Sequence, residues 1–195
     1  MKTCSKPMSN KCFIKEADCM NKEQLSLSEI VKCYKKIFRP NNLKEKEYFF
    51  NKPSLINVIK IAPSKSTNNQ KHPHQYRINK QALETFTKKL LSKIDSLKNS
   101  KTFKELHKKT CEIGNNEPGI GKLTCYDTAT RIGYKLCLYP EYVYLHAGTK
   151  DGAKKLLKSN YVNKLTIPKS FFPKEFEGLS CDEIEDILCI FKNRF

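Results

Sequence analysis

Residues of types and spacings suited to chemistry fall into a few groups along the 195-residue chain. In Pro118-Gly119-Ile120-Gly121-Lys122 an apolar residue stands between two glycines, directly ahead of an amphipathic stretch. Glycines allow a sharp bend and let the backbone approach an anion with no Cβ in the way. Amides at the start of the following helix, here those of Gly121, Lys122 and Leu123, would then point at the anion, with the helix dipole adding to the attraction. Lys122 and Thr124 are candidate side-chain donors to the same anion, and Ile120 is the candidate anchor of the bend. Asp127 and Arg131, four residues apart, read most simply as a surface ion pair worth a few tenths of a kcal/mol. The chemical alternative makes Asp127 a general base. His146 offers a phosphate contact or a proton shuttle, against the plainer role of a half-buried histidine with its bonds satisfied. His72 and His74 flank Pro73 and precede Gln75, Tyr76 and Arg77. They loosely resemble a metal pair and would equally suit stacking and phosphate contacts, with a solvated loop as the default reading.

The nine cysteines are odd in number and contain no CxxC pair. Neither a disulfide framework nor a structural zinc site is expected, and the thiols read as small, reduced, buried side chains. The trio Cys4, Cys12 and Cys19 lacks the short spacing of metal ligands. No P-loop, GxSxG, HExxH or dinucleotide fingerprint occurs, so no metal, no cofactor and no disulfide-linked partner is expected.

The formal charge is +17, and it is unevenly placed: +8 over residues 1–65, +8 over 66–110 and +1 over 111–195. So basic a chain gathers polyanions, and nucleic acid is the expected partner, DNA ahead of RNA. Lys88, Lys93, Lys104 and Lys108 are the candidate phosphate contacts on the helices before the glycine bend. Such contacts hold the backbone and do not read bases, so binding is expected to be largely independent of sequence. No apolar run of membrane-spanning or signal-peptide length is present, and a soluble, cytoplasmic protein without a membrane partner is expected.

The elements needed to position these groups are mainly helical. A capping box, Ser26 with Glu29, opens a helix that Pro40 is expected to end, with a short helix over 43–50. SLINVIKIA after Pro53 is read as helix, and 63–76 as a polar loop. Long helices are expected over about 79–98 and 101–112, followed by one from Lys122 to about Leu138. On this last helix Thr124, Asp127, Thr128, Arg131 and Lys135 form the arc opposite the apolar one. A short helix is expected from Pro140 into VYLHAG, ended by Gly148, then another over Ala153, Leu156 and Leu157. The last helix starts at Ser180 with a second capping box to Glu183, and Glu183, Glu185 and Asp186 are read as its solvated acidic face. The expected fold is mainly α, with 1–65 as a basic and loosely attached segment and 66–195 as the main helical domain.

Residues 102–138 thus read helix, bend, helix, and around Pro118-Gly119-Ile120-Gly121 they resemble the helix-hairpin-helix element of DNA repair proteins, including the endonuclease III-like DNA glycosylases. The resemblance covers about 37 residues and implies backbone gripping of DNA. It does not carry glycosylase chemistry with it. In that family a lysine follows the hairpin in bifunctional members, whereas here Leu123 takes that slot and Lys122 stands one position early. The family's catalytic aspartate falls near Glu141, and the cluster-binding cysteine spacing is missing. Binding without catalysis is therefore the first expectation. A DNA glycosylase or nuclease on the same element is the alternative, and a non-enzymatic protein-interaction module is the third reading.

Overall fold

In the computed structural model of the chain, the residues described are 19, 25–65, 67, 70–158 and 164–195. Cys4 and Cys12, and the segment 1–24 apart from Cys19, lie outside them.

The chain enters helix α1, Leu27–Cys33, through the expected capping box: the Ser26 hydroxyl accepts the Glu29 amide and the Glu29 carboxylate accepts the Ser26 amide. Pro40 does not end the helical run. A π-helical turn, Tyr34–Phe38, resets the ladder, and α2 runs over Arg39–Phe50 with proline in its first turn. The proline directly follows this π turn, in which the Arg39 amide reaches back to the Tyr34 carbonyl, so the irregular ladder falls where a proline would otherwise kink a regular helix. α3, Leu55–Ile59, is capped by Ser54. The expected helix over 79–98 is two: α4, Lys80–Ser92, and α5, Ile94–Lys98, broken at Lys93. α6, Phe103–Gly114, is capped by Thr102, and α7 spans Lys122–Leu136.

After α7 the expectation of helix fails. Val143–Tyr144 is strand β1, paired antiparallel with β2, Thr166–Ile167. The strand's alternation sends its two side chains into different cores, Val143 into one and Tyr144 into the other. Gly148 does not end a helix; it lies inside α8, Ala147–Leu157. α9, Cys181–Ile190, closes the chain behind the expected Ser180–Glu183 capping box.

The architecture is mainly α, with two hydrophobic clusters. One gathers α1, β1, β2, α8 and α9 around Ile30, Tyr34, Ile184 and Ile187. The other gathers α2 to α7 around Phe49, Phe86, Phe103 and Ile132. Residues 25–65 contribute to both clusters, Ile30 and Tyr34 to the first and Phe49, Val58 and Ile59 to the second. Cys19 and Cys33 form a disulfide, contrary to the expectation of reduced thiols throughout. Spacing along the chain does not register that their Cα atoms come to 5.8 Å across a separation of 14 residues. Among the described residues, no helix is long and apolar enough to cross a membrane.

Candidate functional site

Two features stand out, one on the surface and one inside, and α7 joins them. The surface feature is the connection between α6 and α7. Gly119 has φ +85°, the left-handed region that favours glycine. Ile120 tucks back against Gly114 at the end of α6, while Gly119, Gly121 and Lys122 are exposed. Gly121 is the N-cap of α7 and offers no side-chain cap. The first intrahelical bond here is from the Cys125 amide to the Gly121 carbonyl, 3.0 Å. The amides of Lys122, Leu123 and Thr124 therefore have no acceptor within the helix. A Cβ placed on Gly121 would meet nothing within 4 Å, so this N-terminus opens onto free space.

Thr124 does not add a side-chain contact, since it is buried at 5% exposure. Lys88, Lys93, Lys104 and Lys108 are exposed, but they are spread along their helices. Lys104 begins α6, about 15 Å along its axis from the end that reaches the bend, and Lys108 lies 3.8 Å from Glu112. Lys88 alone of the four lines a groove of about 590 Å³ together with Lys60, Lys65, Lys71 and Lys80. This groove adjoins the bend. Lys71 donates to the Ile78 carbonyl at 2.7 Å, the Ile78 side chain lies against Gly119, and Lys89 pairs with Glu117 of the bend at 2.7 Å. Four of the groove's lysines escaped sequence reasoning because they come from the 60–71 turns and the start of α4, which share no periodic face.

The inner feature is a cavity of about 290 Å³ under α7 and α9. In a chain of charge +17 its wall carries five carboxylates, Glu45, Asp127, Asp182, Glu185 and Asp186, against one guanidinium, Arg131. Asp127 and Arg131 are not a surface pair. Arg131 is 3% exposed and donates to Glu45 at 2.9 Å and to the Ala62 carbonyl at 2.7 Å. Asp127 instead meets the 72–75 turn: its Oδ2 is 3.0 Å from His74 Nδ1 and accepts from Gln75 Nε2 at 2.8 Å. Burial alone would raise the Asp127 carboxyl. The His74 hydrogen bond and the charge of Arg131 outweigh it and hold the group below its ordinary value. The same bond raises His74, while burial lowers His72 to about 4.

The acidic residues of α9 are not a solvated face. Glu183 and Glu185 are buried, and Glu183 lies 2.6 Å from Arg39. Glu185 accepts from the Thr149 hydroxyl, and burial, with Asp186 beside it, raises its carboxyl well above the ordinary value. Asp186 accepts from Tyr34 at 3.0 Å and from Asn42, and burial pushes it up to about 8. His146, the N-cap of α8, is half-buried, 3.3 Å from Glu185, and lowered to about 4 by burial. It faces the cavity's acid cluster and is not at the bend. The Tyr126 and Thr130 hydroxyls are buried on the cavity wall with no protein hydrogen-bond partner among the described residues. Glu141, the position where a catalytic aspartate would fall by resemblance, caps α6 by accepting the Phe103 amide at 3.1 Å.

No family model matches the chain, and neither the curated proteins nor the solved structures contain a match.

Proposed function

We propose that the chain binds nucleic acid, DNA first, by gripping the phosphate backbone at the α6–α7 bend and along the adjoining lysine groove, with little dependence on base sequence. The observation that carries this reading is the open, uncapped start of α7 at Gly121, beside a groove with five lysines. A helix of this length presents its first amides and its dipole to an anion there. The neighbouring ammonium groups add the sequence-independent attraction that dominates backbone binding. Gly121→Ala tests it cleanly, because the new methyl enters empty space at an ordinary φ of −96° and should leave the fold intact. The expected result is at least a tenfold loss of duplex affinity in a filter assay with an unchanged melting temperature. Lys65→Glu with Lys88→Glu should make binding less sensitive to salt, the slope falling by about one for each lost phosphate contact. Wild-type affinity in both variants would remove the bend and the groove from the reading. Weak, salt-insensitive affinity of the parent for any nucleic acid would favour a protein-interaction module.

A second reading places chemistry on the bound strand in the acidic cavity. It is favoured by carboxylates on one cavity wall whose surroundings push them apart: the His74 hydrogen bond and Arg131 hold Asp127 below its ordinary value, whereas burial raises Glu185 and Asp186, an arrangement that separates acid and base roles. Incubation with abasic and damaged-base duplexes tests it, strand scission or base release counting for it and intact duplex against.

A further inference from the structure

We propose that His72, His74 and Asp127 form a site for one divalent transition-metal ion, Zn²⁺ or Fe²⁺ in type, on the wall of the acidic cavity. This goes beyond nucleic-acid binding and does not depend on it. The ligand atoms of the three residues already lie within 4.8 Å of one another. His74 Nδ1 and Asp127 Oδ2 are 3.0 Å apart, close to the separation of two ligands on one metal. One imidazole, His74, comes from a short 3₁₀ turn, Pro73–Gln75, and the other, His72, from the residue just before it, with ring centroids 4.8 Å apart; the carboxylate comes from the second turn of α7. Gln75 is fully buried and holds the Asp127 carboxylate through its side-chain amide, the kind of support that orients a metal ligand.

Two imidazoles and one carboxylate suit zinc or non-haem iron, whereas calcium and magnesium take oxygen ligands alone. A bound ion would replace two existing bonds, from His74 to Asp127 and from the His74 amide to His72 Nδ1. Its remaining positions would face the cavity. The unpartnered hydroxyls of Tyr126 and Thr130, 4% and 8% exposed as residues, line that same space. A metal-bound water there has hydroxyls within its own cavity to bond. Arg131 opposes a cation, but its guanidinium is already committed to Glu45 and the Ala62 carbonyl, and the other charged groups on the wall are acidic or histidine. Sequence spacing shows the two histidines and cannot show the aspartate that completes them, 53 residues beyond His74.

The test uses the full chain, stripped with a chelator and titrated with Co²⁺ and then with competing Zn²⁺. One equivalent should bind, with visible cobalt bands but without the strong near-ultraviolet bands of cobalt–thiolate bonds. His72→Ala and Asp127→Asn should each lower Zn²⁺ affinity about a hundredfold or more. The chain has four histidines, His72, His74, His107 and His146. In the unmutated protein, Zn²⁺ should move the imidazole resonances of the first two and spare the others, which keeps the test decisive if a variant fails to fold. Thiolate bands, equal affinity in both folded variants, or no shift at His72 and His74 would overturn the site.

Discussion

At the scale of single residues, the α6–α7 pair sets the surroundings of a free thiol. Cys111 lies 3.4 Å from His107 Nε2, one turn back on α6, and beside Cys125 of α7. Cys125, then His107, pulls the Cys111 thiol well below its ordinary value, while Cys125 is raised. Cys181 and Cys189 are raised by burial. Thiolate, not thiol, is the nucleophile. Iodoacetamide at neutral pH should therefore label Cys111 well ahead of Cys125, Cys181 and Cys189, as read by peptide mapping, and His107→Ala should slow that labelling. Equal rates across the four would contradict the ordering. The place of Cys125 could not be read along the chain, because Cys111 and Cys125 are 14 positions apart and only the packing of α6 on α7 brings them together.

Among the elements, the pairing of α8 with α9 rests on missing side-chain volume. A Cβ on Gly152 would collide with the Leu188 carbonyl, so the two backbones touch where an ordinary residue would hold them apart. Gly152→Ala should destabilise the fold by about 1–3 kcal/mol in urea unfolding, the usual cost of overpacking. A neutral effect would mean that the helices part easily. The elements also explain which parts of the fold were legible. Ser26–Glu29 and Ser180–Glu183 mark helix starts because capping is local and three residues suffice. Val143–Tyr144 was not legible as strand, because a two-residue strand exists only through a partner 22 residues on. α7 misled in a different way. Its polar arc of Thr124, Thr128 and Arg131 looks like an outer face, yet all three are buried. Thr128 bonds back to the Thr124 carbonyl at 2.7 Å, and Arg131 is answered by Glu45 from α2. Periodicity reports polarity, not exposure, and polar side chains turn inward when other elements satisfy them. The acidic residues of α9 misled for the same reason, so the cavity was hidden although each of its residues was visible.

Over the whole molecule, charge is split between two recesses, with five carboxylates on the wall of the inner cavity and five lysines, with Glu84, along the surface groove. This arrangement has a pH signature. Asp186 keeps its proton to about pH 8 when folded, from an ordinary value of 3.8. Between those limits the folded chain holds a proton that the unfolded chain has lost, so this group's contribution to stability falls as pH rises. Asp186→Asn removes the penalty. The melting temperature of the variant relative to the parent should climb from pH 4 to pH 8 and then level off. A constant difference across that range would show Asp186 to be ionised throughout. Geometry at this scale also sets a length. Six residues of α7 separate Gly121 from Asp127, about 9 Å along the axis at 1.5 Å each. A rigid helix cannot stretch, so it acts as a ruler: a strand pinned at one end would present to the recess at the other whichever unit lies two or three rungs from the pinned phosphate, at roughly 3.4 Å per rung.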